Sequence, residues 1–285
     1  MTEKIEHIEP FIRPPWWTLN AQVIISQDKQ SAKAHHDRIQ GINQYTLPLT
    51  IYTDGSGINN KIGAAACNTK EILHQHLGPS EKFNVFTAEV SAIGLAMDIV
   101  SQNHNQQQCH IYTDSQAAIK AIINPGKQSG QAIIKATLDK IDHLINRTHL
   151  TIHWIPGHQQ IKGNEQADAE AKKAAQNSAL GSKHPHSPLK SSRTMTIKQL
   201  AKAQWKQTME SDKYKSKHLR QILRHRQAKA GQRYYKSADT WKAATTLAQL
   251  CTGHCQLNAY LYCFRKYQAD TANASMRGKQ YLTTC

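Results

Sequence analysis

Ile51-Tyr52-Thr53-Asp54-Gly55-Ser56 and Ile111-Tyr112-Thr113-Asp114-Ser115-Gln116 share their first four residues. In each copy apolar and polar residues alternate with the period of a strand, and an Asp closes the run. Both Asp residues have the same parity relative to the apolar positions. If the two strands are parallel neighbours, both carboxylates leave the sheet at one end, where open α/β sheets bind their ligands. A single Asp at a strand end is commonly only a helix cap. A matched pair calls for a further reason.

Working outward, Leu47, Leu49 and Ile51 alternate with Thr50 and Tyr52 as a first strand. Ile62 to Cys67 and Ile72 to Leu77 read as two more, joined by a turn at Asn68-Thr69-Lys70 in an antiparallel meander. Val90, Ile93, Met97 and Val100 then mark a helix, with Thr87 placed as its N-cap. Cys109 to Thr113 is a fourth strand, Ser115 to Ile123 a short helix, and Ile134 to Ile145 a longer one. Leu150 to Ile155 is a fifth strand, broken by Pro156-Gly157, and Glu165 to Gln176 a last helix. This order describes an α/β fold: a five-stranded mixed sheet with flanking helices.

The domain plan follows from composition. Residues 1–45, with Pro14-Pro15-Trp16-Trp17, read as an N-terminal extension that packs by its aromatics; 46–178 hold the sheet domain. Residues 179–196 read as a Ser-, Pro- and Lys-rich linker, and 197–285 as a basic, mostly helical C-terminal region. Basic and acidic side chains balance at 16 each over 1–180, whereas 181–285 hold 20 basic and 4 acidic. The formal net charge of +16 therefore resides in the tail, which points to nucleic acid or another polyanion as its partner. Six widely spaced Cys do not form a disulfide scaffold. With no signal peptide and no run of ~20 apolar residues, an intracellular location, nuclear or cytoplasmic, is expected.

Two further acids can join Asp54 and Asp114. Glu89 is read in the first turn of its helix, and Asp168 in the first turn of the last helix, ten residues after His158. Gathered carboxylates repel one another unless cations intervene. Such a set suits hard divalent cations, Mg²⁺ above all, with substrate phosphate completing the shell.

Tyr-Thr-Asp-Gly-Ser at 52–56, Thr-Ala-Glu at 87–89, Tyr-Thr-Asp-Ser-Gln at 112–116, Trp-Ile-Pro-Gly-His at 154–158 and Gly-Asn-Glu-Gln-Ala-Asp at 163–168 closely resemble the type I ribonuclease H family. The resemblance covers about 46–178 and implies an endonuclease that cleaves the RNA strand of RNA–DNA hybrids with two Mg²⁺ ions, Mn²⁺ being a substitute. It implies Asp54, Glu89, Asp114 and Asp168 as the metal-binding tetrad and His158 as the catalytic-loop His. Gly55, Ser56 and Gln116 are the positions expected to sense the 2′-OH. Family members often carry further Asn residues just before the helical Glu; here Val85 and Phe86 stand there.

The flanks extend the resemblance. Pro14-Pro15-Trp16-Trp17 and Leu250 to Leu261 look like the C-terminal part of fungal non-LTR (LINE-like) retrotransposon polyproteins, in which ribonuclease H follows a reverse transcriptase. No polymerase segment is present, so the chain resembles a fragment or shortened copy. Such elements place a Cys/His zinc knuckle near the end; Thr271 to Ser275 stand where paired cysteines are expected. Cys251, His254, Cys255 and Cys263 offer zinc ligands at an irregular spacing, and helical packing is the simpler reading. The alternatives to a hybrid nuclease are a catalytically silent nucleic-acid-binding protein on the same fold and a DNA-acting enzyme of the wider superfamily.

Overall fold

The computed structural model describes residues 4–42, 48–103, 107–144, 147–179, 186–210 and 240–252. They divide into two compact units, 1–198 and 199–285. The first is built on strands β1 (Gln22–Ile24), β2 (Leu49–Ile58), β3 (Lys61–Cys67), β4 (Ile72–Pro79), β5 (Gln108–Thr113) and β6 (His149–Trp154). Its helices are α1 (Lys29–Ile42), α2 (Val85–Gln102), α3 (Gln116–Ile123), α4 (Gln131–His143) and α5 (Lys162–Gln176). Helix α6 (Lys190–Glu210) begins in this unit, and α7 (Trp241–Thr252) belongs to the second.

The sheet is mixed, as expected, but has six strands rather than five, in the order β1-β6-β5-β2-β3-β4. The added strand comes from the segment read as an extension. Gln22, Val23 and Ile24 pair in parallel with Thr151, Ile152 and His153, so β1 covers the free edge of β6. A three-residue strand is too short for its periodicity to stand out; its partner makes it a strand.

Glycines let helices approach the sheet on both faces. A Cβ at Gly55 would lie 2.4 Å from the Glu89 backbone nitrogen, and one at Gly63 would lie 2.2 Å from that of Ala175. Helix α2 thus presses on one face of β2, and α5 on the opposite face of β3. On α2, every residue from Thr87 to Met97 is buried, because α4 packs behind it: Thr137 Oγ1 donates to Val90 O at 3.3 Å. Among the described residues α2 is the one helix long and apolar enough to cross a membrane, and it is a core helix here.

Helix α1 shares the α5 face. His36 Nε2 meets Tyr52 Oη at 2.8 Å, and its ring stands edge-on to Tyr112 at 5.0 Å. Beneath α1, Tyr52, Tyr112 and His153 stack across three strands, with centroids 5.2 and 4.8 Å apart. The strap before β1 runs along α4. Arg13 pairs with Asp139 at 2.6 Å and Asp142 at 3.1 Å, and Trp17 joins the core. Trp16 remains 82% exposed, so only one of the two tryptophans packs inward.

Three helix starts differ from expectation. The N-cap of α2 is Asn84; its side chain accepts from Thr87 N, and Thr87 returns the bond in a capping box. Glu89 therefore lies in the second turn of α2, and Asp168 in the second turn of α5. Helix α6 starts at Lys190, inside the stretch read as a linker. Leu189 just before it is 1% exposed and belongs to the main core. The helix read from Leu257 to Phe264, the Cys/His cluster beyond Thr252 and the 271–275 stretch lie outside the described residues.

Candidate metal centre

The sequence echo is a structural register. Ile51 pairs with Ile111, Tyr52 with Tyr112 and Thr53 with Thr113 in the parallel β2–β5 ladder. One step further, Asp54 and Asp114 are side by side. They are not equivalent, because β5 ends at Thr113 while β2 continues through Asp54 to Ile58. The sequence reading closes this strand at Asp54. Instead, Gly55 is the in-strand position that admits α2. The hairpin closes at Asn59 and Asn60, both at positive φ, the backbone of a two-residue primed turn.

Carboxylate oxygens of Asp54, Glu89 and Asp114 lie within 4.8 Å of one another. Asp168 is next to this trio without being an equal member of it. Its side chain is in hydrogen-bonding contact with Asp54, while its Oδ2 accepts from Lys172 Nζ at 2.5 Å.

Burial, followed by repulsion from Asp114 and Asp168, pushes Asp54 up to about 8. Burial, then Asp54 and Asp114, pushes Glu89 up to about 9. Asp114 is also raised by burial, against the opposing pull of Asn164 and His158. Glu89 Oε2 is buried with no hydrogen-bond partner. Two buried carboxyls and a half-buried third, with one orphaned oxygen, form an all-oxygen donor set, the chemistry of a hard divalent cation. The residues present fit such an ion.

The loop after β6 completes the surroundings. Trp154 Nε1 donates to Asp114 O at 3.1 Å. Gly157 sits against Asp114: a Cβ there would lie 2.6 Å from Oδ2. Its lack of a side chain serves close approach rather than loosening of the loop. His158 follows, exposed and in the left-handed region at φ 58°. Gly55 and Ser56 are buried beside the trio, and Gln116 is half-buried at the start of α3, its Oε1 accepting from Lys120 at 3.4 Å.

Asn164 went unread as a site residue. It is 5% exposed, its side chain bonds Asp114, and its Oδ1 is otherwise unpartnered. Spacing held the signal: Asn164, Asp168 and Lys172 recur at i, i+4 and i+8, which places them on one helical face.

Residues 47–176 match the family model described as RNase H. Over that span the chain is similar to the RNase H family. A solved structure, that of RNase H1 from the halophilic archaeon Halobacterium salinarum NRC-1, aligns at 18% identity with a TM-score of 0.34. The alignment covers 45% of this chain and 97% of that one. Strands β2 to β6 and helices α2 to α5 of the mixed sheet fall within the span matched by that family model. Strand β1 and helices α1, α6 and α7 lie outside the span matched to RNase H, so this domain is flanked on both sides by additional structure.

Proposed function

We propose that this protein cleaves the RNA strand of RNA–DNA hybrids by phosphodiester hydrolysis, leaving 5′-phosphate and 3′-hydroxyl ends. The observation that carries the reading is the convergence of Asp54, Glu89 and Asp114 within 4.8 Å inside the span similar to the RNase H family.

Asp54, Glu89 and Asp114, with Asp168 at their margin, would hold two Mg²⁺ ions. When bound, these would supply the charge neutralisation and Lewis acidity that an in-line displacement at phosphorus needs. The chain's own residues do the rest. Asn164 and Gly157 fix the Asp114 carboxylate. The N–H of Gly55 steadies both Asp54 and Glu89. His158, exposed beside Asp114, relays a proton between solvent and the reacting phosphate. Gly55, Ser56 and Gln116 line the approach to the 2′-OH that marks the RNA strand. The basic 181–285 region adds backbone affinity. The resemblance of the flanks is the basis for reading this domain as retrotransposon-derived and as part of a larger reverse transcriptase polyprotein.

The test is cleavage of an end-labelled hybrid with and without Mg²⁺, beside double-stranded RNA and double-stranded DNA of the same sequence. Expected is Mg²⁺-dependent cutting of the hybrid's RNA strand, abolished by Asp54→Asn or Asp114→Asn with binding retained. A fully active Asp54→Asn protein would refute the metal role. Binding without cutting would leave a silent nucleic-acid-binding protein.

A further inference from the structure

The first two turns of α6 are not a loose tail. Leu189 N donates to Lys82 O at 2.8 Å, and Ser191 is joined to Ser129 Oγ at 3.1 Å and to Asn84 Nδ2 at 3.3 Å. The Glu6 carboxylate accepts from Lys190 N at 2.7 Å, from Gly130 N at 2.8 Å and from the Ser129 hydroxyl. One carboxylate therefore caps α4 and α6 together, and the α6 terminus is already satisfied. What α6 offers outward is its side chains.

Up to its last residue, Glu210, those side chains carry one sign of charge. No acid occurs between Glu170 and Glu210. Lys190 and Lys198 are exposed, and neither ammonium has a carboxylate partner among the described residues. Along with the hydroxyl residues Ser129, Ser191 and Thr194 and the apolar Ile8 and Met195 they line a cleft of about 460 Å³. Lysines interleaved with hydroxyls, without an acid on the lining, match a sugar–phosphate backbone in charge and in hydrogen bonding.

The cleft is also close to the acids. Asn84, which holds Ser191, is the N-cap of α2, and Glu89 lies five residues on, ~7.5 Å along the axis at ~1.5 Å per residue. The side-chain amide of Asn84 is spent on the capping box and on Ser191. The α2 N-terminus therefore presents α6 in place of a free amide.

We propose that the start of α6 continues the substrate surface beyond the RNase H domain, with Lys190 and Lys198 gripping the phosphate backbone of a hybrid whose scissile bond lies at the acid cluster. The inference rests on the hybrid-nuclease reading and names how this chain extends it.

The test uses the full chain and a hybrid of about two helical turns, with affinity measured without Mg²⁺ across a salt series. Replacing both lysines (Lys190→Gln with Lys198→Gln) should flatten the log–log salt dependence by about 0.9 per lost phosphate contact, near 1.8 for the pair. It should raise KM and leave kcat at saturation unchanged. Lys70→Gln, on the β3–β4 turn, should leave the slope alone. An unchanged slope in the double variant, or an equal change with Lys70→Gln, overturns the proposal. A wild-type protein that binds hybrids but cuts none would defeat the nuclease reading instead, and the slopes would still decide the grip.

Discussion

A methyl group at Gly157 would meet Asp114 Oδ2 at 2.6 Å, and the same side chain is bonded by Asn164. The carboxylate would have to shift from its place beside Asp54 and Glu89. Displacement of a catalytic group by ~1 Å can cost ~10²-fold in rate. Gly157→Ala should therefore lose on the order of that factor in kcat while its far-ultraviolet circular dichroism stays native. Metal removal reads the same site through stability. A carboxyl raised above its ordinary value favours the folded state most at low pH. That advantage is lost as pH rises through about 8 for Asp54 and about 9 for Glu89. Metal-free protein should become less stable across this rise, and saturating Mg²⁺ should restore Tm in the wild type. Asp54→Asn should show a much smaller Mg²⁺ response. At this scale the acids were legible because their motifs name them. Asn164 stands inside the 163–168 motif without a role of its own, because a helical Asn gains one only when its i+4 partner faces the site.

Among elements, α1 shows how tertiary contacts overrule a polar sequence. Lys29 to Ile42 has no apolar stripe to announce it, yet it lies over the sheet through its histidines. His36 bonds Tyr52. His35 rests 5.5 Å from His153, and His110 Nδ1 meets His153 Nε2 at 2.8 Å. That last bond needs at least one bare imidazole nitrogen. Burial, with His110, His35 and His36 nearby, drives His153 down to about 3 from the ordinary 6.5, and His35 and His110 are lowered too. A histidine depressed in the folded state stabilises the fold above its ordinary value. That stabilisation is lost as pH falls from 6.5 toward 3. Amide exchange in α1 should accelerate relative to α2 between pH 7 and 5, after correction for intrinsic rates, and the acceleration should shrink in His153→Phe. Equal behaviour in both proteins would show that the histidines do not hold α1. The β2–β5 pair, by contrast, was readable from its repeated tetrapeptide, since identical strands in register pair identical residues. The end of β2 was not readable, because a glycine inside a strand looks the same as one that stops it.

Across the whole first unit, one acid near the chain start ties three distant segments together. Glu6 reaches Ser129, Gly130 and Lys190, and its own N–H donates to Pro188 O at 3.0 Å. Glu6→Ala removes the cap of two helices at once. At ~1 kcal/mol for each lost cap, the transition midpoint in urea should fall by an amount matching roughly 2 kcal/mol. Glu6→Gln, which keeps an acceptor oxygen, should recover part of it. Nothing in the residues around Glu6 foretold this, since a cap reached from more than a hundred positions away leaves no local pattern.

The short strand Gln22–Ile24 bears on how the protein can be divided. The matched span starts at residue 47, so a fragment trimmed to that boundary would lose the three residues that shield β6. Its bare rim of amide and carbonyl groups, flanked by Leu150 and Ile152, would be free to recruit a neighbouring molecule's strand. Light scattering should find such a trimmed piece self-associating, where the chain that keeps β1 stays dispersed.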